Sequence, residues 1–172
     1  MAATIFARLA PSHHELREIE GFSRDQLLGI AVARGCRHYA SFADSPNKVD
    51  EPSISHEVLG CALLRGPRNI ETFRAIRVAA MVLSDEGNSP DEIGSAAVAF
   101  QVEGRVSHIA KLALKADNRP DFWNAVLASL PSMDDVSEVS FLPGISRLRS
   151  ETQMTGLGRG RSLVWLRTAY AR

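Results

Sequence analysis

The sequence predicts a mainly helical protein, a compact bundle of five to seven helices followed by an extension of short strands or extended segments. Three observations predict it. Apolar residues recur at spacings of three and four through most of the chain up to Pro131. Ser or Asn repeatedly stands just ahead of those stretches, two or three residues before an acid or amide, as at a capped helix start. Beyond Pro131 the pattern changes to short alternating runs around a glycine-rich turn.

The first helix starts at Ser12, with Glu15 three residues on as a capping box, buries Leu16 and Ile19, and stops at Gly21. Ser23 and Gln26 repeat the device. The second helix then buries Leu27, Leu28, Ala31 and Val32 and fades after Gly35. Pro46, Asn47, Asp50 and Pro52 mark residues 41–53 as a loop. The apolar run that follows, Glu57 to Leu64, closes on Gly66-Pro67. It fits a short buried helix or a buried strand, because periodicity does not separate the two at this length.

Asn69 can cap the next helix, with Glu71 in its first turn. Ile70, Phe73, Ile76, Ala80 and Leu83 form one stripe, and Val78, Ala79, Met81 and Val82 fill much of the rest, so this helix is central to the core. Ser89-Pro90-Asp91-Glu92 is the strongest local signal: an N-cap, a proline at the first helical position and an acid closing the box. Ile93, Ala96, Ala97 and Phe100 point inward from that helix. Residues 102–104 connect it to another, which buries Val106, Ile109, Ala110, Ala113 and Leu114. Pro120 opens the last helix, in which Phe122 is core and Trp123 is partly exposed or faces the extension, and Pro131 ends it.

Length suits one hydrophobic core, which divides here into a helical domain, 1–136, and a basic extension, 137–172. Acids and bases balance at 20 each, yet from Ser137 onward six arginines face two acids, a net of +4. Because the whole chain sums to zero, the preceding part carries −4. Such a split marks either an interaction tail or a tail that packs on its own acidic body. Seventeen arginines against three lysines suit bidentate anion recognition, or record a GC-rich coding sequence. Cys36 and Cys61 form no CxxC, and reduced, buried thiols are expected. No apolar run reaches membrane-spanning length and no signal peptide is recognised, so a cytoplasmic location without membrane contact is expected.

Two constellations suggest binding. Residues 90–116 have the outline of a helix-turn-helix, with Ala97 in the tight spot and Arg105, Ser107, His108 and Lys111 on or beside the exposed face of a recognition helix. The turn carries Gln101 where glycine is favoured, and Asp91, Glu92 and Glu103 bring negative charge nearby. Helical hairpins of this length also occur in bundles that never meet DNA. In the extension, Gly156-Leu157-Gly158-Arg159-Gly160-Arg161 can cradle an anion in a nest of backbone N–H groups, or serve as a linker between strands. It matches neither a P-loop nor a dinucleotide fingerprint. Arg147 and Arg149 add to its charge, and Trp165, Arg167 and Tyr170 on a final strand form a candidate interface with one sheet edge open.

Chemistry is less legible. His14 and Glu18 share a helix face at a metal-ligand spacing, but an exposed polar face explains them as well, and no metal or cofactor is expected. Cys36 or Cys61 can be matched with His38, His56 or His108, and nothing in the sequence selects a pair. The sequence reads first as a non-catalytic adaptor or accessory subunit that binds a protein partner or dimerises through its extension. A nucleic-acid-associated regulator comes second. An enzyme with a scattered site comes third.

Overall fold

The computed structural model describes residues 11, 13–36, 53–66, 70–132, 146–152 and 161–167. Among them are seven helices: α1 (His13–Glu20), α2 (Arg24–Ala33), α3 (His56–Leu63), α4 (Ile70–Leu83), α5 (Pro90–Phe100), α6 (Glu103–Ala116) and α7 (Pro120–Ser129). Two strands, β1 (Ser146–Thr152) and β2 (Arg161–Arg167), pair antiparallel, with Leu148 opposite Trp165. The protein is mainly helical, and the helices pack into one apolar core.

Local sequence explains where the helices start and stop. Ser23 caps α2 by accepting from the Gln26 N–H at 3.3 Å, and the Gln26 side chain accepts from the Ser23 N–H at 2.8 Å, the predicted box. The helix ends in a Schellman turn. The Cys36 N–H donates to the Ala31 carbonyl and the Gly35 N–H to that of Val32, with Gly35 at φ 124°, which glycine adopts without a Cβ clash. Inside α2 the buried set is Leu27, Leu28, Ile30 and Ala31, so Ile30 takes the place predicted for Val32, which is only half-buried, as is Leu16 in α1. The predicted caps Ser12 and Asn69, and most of the 41–53 loop, lie outside the described residues.

The 57–64 run is a helix. Ser55 caps it by accepting from the Val58 N–H at 3.2 Å, a device no strand uses. Val58 to Leu63 are all buried, so the run has no polar face and periodicity was silent about it. Its main neighbour is α4, in which Ala75, Ile76 and every residue from Val78 to Leu83 are fully buried. Gly60 permits this approach: a Cβ there would stand 2.6 Å from the Leu83 side chain.

Ser89 and Pro90 start α5 as predicted, but Glu92 does not close the box. The Ser89 N–H donates instead to Glu57 of α3, at 2.8 Å, and Glu92 is exposed. The turn between α5 and α6 is shorter than predicted, with Glu103 already helical. Both helices pack on α7 more than on each other. In α7 the aromatic pair is reversed from the expected order: Trp123 is fully buried and Phe122 half-buried. The indole N–H donates to the buried carboxylate of Asp117 at 2.8 Å, which satisfies the ring's one polar atom inside the core. Asp117 also pairs with Arg119 at 2.9 Å, and Arg119 donates to the Ser84 carbonyl at the end of α4.

Candidate functional site

Three places gather chemistry-bearing side chains, and the eight residues of α3 touch two of them. Its C-terminal end is wrapped by arginines. The carbonyl oxygens that follow the helix have no intrahelical donors. Arg105 of α6 donates to the carbonyls of Leu64 and Gly66, and Arg24 of α2 donates to that of Arg65 at 2.8 Å. Cations at this end also answer the negative end of the helix dipole. The Arg65 guanidinium lies over the Phe100 ring, 5.5 Å from its centroid. Beside it opens a cleft of about 410 Å³, lined by Arg65, Gly66 and the 100–105 turn.

That turn contains a left-handed residue. Gln101, at φ 57° and ψ 45°, is the one non-glycine residue with positive φ among the described residues. It stands where a helix-turn-helix favours glycine, so the backbone makes the bend that the residue type argued against. The next helix, α6, starts at Val102 without a side-chain cap.

The second place is the outer part of α6. Lys111 is exposed and His108 half-buried, and each has an interaction within the protein. Arg105 is committed to α3 rather than held out as a recognition side chain. Strand β1 lies against α6 and β2 against α4. Arg147 and Arg149 therefore belong to the strand beside the predicted recognition helix, paired in register with Leu166 and Val164. Arg161, Trp165 and Arg167 lie in β2, opposite Thr152, Leu148 and Ser146. Arg159 and Tyr170 lie outside the described residues.

The third place is the N-terminal end of α3. The His56 Nδ1 stands 3.1 Å from the Asp85 carboxylate, whose other oxygen accepts from the Gly87 N–H at 3.0 Å. The hydrogen bond from His56 holds the Asp85 carboxyl below the usual range. Burial opposes it, while the Gly87 bond and the charges of His56 and Arg119 assist. Cys36 is close enough to feel Asp85: burial, then that carboxylate, pushes the thiol up to about 12. Burial likewise raises Cys61, with Glu57 and Glu103 adding to it. Both cysteines are free and buried, and burial disfavours the thiolate at each. Glu15 accepts from the Ser55 N–H at 3.1 Å. Desolvation, then Glu57 and Glu15, raises the Glu92 carboxyl. His14 lies 3.8 Å from Glu18 and is largely exposed, and no group of three or more metal-ligating side chains occurs among the described residues.

Sequence reasoning missed Arg65 and Asp85. Arg65 stands directly before the Gly66-Pro67 stop, where a cation meets a helix C-terminus, and that position was its one signal. Asp85 follows a helix and precedes a turn, like many acids that do nothing. No helix among the described residues is long and apolar enough to cross a membrane. No family model matches this chain, and no curated protein or solved structure is detectably similar to it.

Proposed function

We propose that this chain is a non-catalytic binding protein, a small helical adaptor or accessory subunit, acting through its basic C-terminal extension on an acidic protein partner or a second copy of itself. One observation carries the reading. The strand that holds Arg147 and Arg149 lies against the helix that holds Arg105, His108 and Lys111, so two segments far apart in sequence, each with basic residues, are neighbours in the fold. Cations grouped in this way steer an acidic surface and fix its register. Each strand of the two-stranded sheet also keeps one edge unpaired among the described residues, and a strand edge can extend onto another chain.

The test uses the full chain and its Arg147→Glu, Arg149→Glu variant. Sedimentation reads the mass in solution, and fluorescence anisotropy reads binding of a polyglutamate peptide at low and physiological salt. The double variant should lose the dimer or bind the peptide at least about tenfold more weakly, with the salt dependence flattened. Unchanged mass together with unchanged peptide affinity overturns the reading.

A second reading, a nucleic-acid-associated regulator using residues 90–116 and the arginine-rich tail, is favoured by one observation: the left-handed Gln101 in the α5–α6 turn. Against it, Arg105 is turned onto α3 and β1 lies on α6. Mobility shifts with mixed-sequence duplex and single-stranded probes decide it, since phosphate contacts make binding fall steeply with salt. Duplex binding that survives the double variant and fails in Lys111→Ala would favour this reading over the first.

A further inference from the structure

We propose that β1 pairs edge to edge with β1 of a second copy of this chain, antiparallel about a two-fold axis at Ser150, so that the two hairpins join into one sheet. The inference deepens the proposed reading and rests on it, since it takes the second copy as the occupant of the open strand edge. Among the described residues β1 is paired with β2 on one side only. A two-stranded hairpin is marginal alone, and the unpaired N–H and C=O groups along its edge accept a further strand. Identical chains that form a closed pair meet through the same surface on both, a condition that an antiparallel pair of like strands satisfies.

The order of charge along β1 selects the partner and the register. Arg147, Arg149 and Glu151 alternate with Leu148, Ser150 and Thr152, so the three charged positions share one face of the strand. Within the hairpin, Arg149 stands opposite Val164 and Glu151 opposite Ser162, so neither register partner is charged. Residues directly opposite in a strand pair belong to the same face, so a two-fold axis between two copies of β1 passes through a residue. With the axis at Ser150, Arg149 stands opposite Glu151 of the second copy, Glu151 opposite its Arg149, and Leu148 opposite its Thr152. With the axis at Leu148, Arg147 stands opposite Arg149, and with the axis at Arg149 that residue stands opposite itself. Opposite charges directly across a strand pair stabilise it and like charges destabilise it. The edge of β2 offers no such match, because overlap along its whole length sets Arg161 opposite Arg167 at both ends. In charge, β1 is complementary to itself and β2 is not.

The test is sedimentation equilibrium of the full chain, and the parent should dimerise. Arg149→Glu sets acids opposite acids and Glu151→Arg sets bases opposite bases, so each variant alone should weaken the dimer at least about tenfold. An equimolar mixture of these two variants restores opposite charges at both positions and should dimerise as the parent does. So should a chain that carries both substitutions. Arg17→Glu, the same change of charge at an exposed position of α1, should leave the dimer as it is. A parent that stays monomeric, single variants that dimerise like the parent, or a mixture no better than its components each overturns the pairing. Polyglutamate binding separates this result from the wider reading. A monomeric parent whose peptide affinity still falls in the Arg147→Glu, Arg149→Glu variant overturns the strand pairing and leaves the acidic-partner reading standing.

Discussion

The two ends of α3 carry opposite charge and are completed in opposite ways. At the N-terminal end the acids are spent on backbone: Glu15 accepts from the Ser55 N–H and Glu57 from the Ser89 N–H, so each carboxylate closes the start of a helix other than its own or beside its own. His56 and Asp85 fasten the same end to the loop after α4. At the C-terminal end the arginines also take up backbone groups, but they border an open cleft. Both ends follow the helix dipole, with acids at its positive pole and bases at its negative one. The difference is that the acid end is sealed against its neighbours, whereas the arginine end still presents a cation to solvent. At the first end Glu15, Glu57, His56 and Asp85 all bond within the fold; at the second, Arg65 stays exposed over the Phe100 ring.

The sharpest way to break this comparison is at Glu57. It is buried, and its oxygen is the acceptor for a half-buried N–H at the start of α5. Glu57→Ala leaves that donor without its acceptor and should cost about 1–3 kcal/mol of stability by denaturant titration. Glu57→Gln keeps a carbonyl acceptor and should recover much of the loss. If alanine and glutamine are equally harmless, the acid end is not held together by its capping bonds.

The same residue shows what the sequence made legible. The Ser89-Pro90 start of α5 could be read locally because cap and proline act within four residues. The partner that completes it could not, since Glu57 lies 32 positions away and reaches Ser89 only through packing. Helix α3 followed the same rule: an apolar run buried on all sides carries no periodic signal, and only its Ser55 cap separated helix from strand. For the adjacent pair Phe122 and Trp123, helix spacing says that one faces the core more than the other but not which, and the Asp117 acceptor that lets the indole be buried lies in another turn of chain. In the candidate cleft, Arg105 was picked out by its place on a helix face, whereas its bonds to Leu64 and Gly66 span some forty residues.

At the arginine end the next effect is smaller. Arg105→Ala leaves the Leu64 and Gly66 carbonyls without their guanidinium donor. Carbonyls at a helix end that is partly open to solvent find water more readily than a buried N–H does, so the cost should be about 1 kcal/mol. Arg105→Lys should not restore it, because one ammonium lacks the fork that spans two carbonyls. Thermal unfolding of the three proteins checks both statements.

Acid titration separates the ends further. The Asp85 carboxyl is depressed in the folded state, so its contribution is complete above the unfolded value of about 3.9 and is lost as pH falls through the lower folded value. The unfolding temperature should therefore drop below about pH 4 more steeply in the parent chain than in Asp85→Asn. The variant should be modestly less stable at neutral pH. Parallel acid limbs would mean that the His56–Asp85 bond does not contribute to the sealed end.

Arg65→Ala should have the smallest effect on stability. The residue is exposed, its ring contact with Phe100 is at the surface, and its carbonyl, which Arg24 uses, survives the substitution. A change within about 0.5 kcal/mol is expected, as for most surface positions. The size of that number decides what the arginine end is for. A large loss would make Arg65 one more bracing charge, equivalent to those at the acid end, and the two ends would differ only in sign. A negligible loss leaves Arg65 as an exposed cation beside the Phe100 ring that carries no part of the bracing, and the two ends then differ in construction as well as in sign.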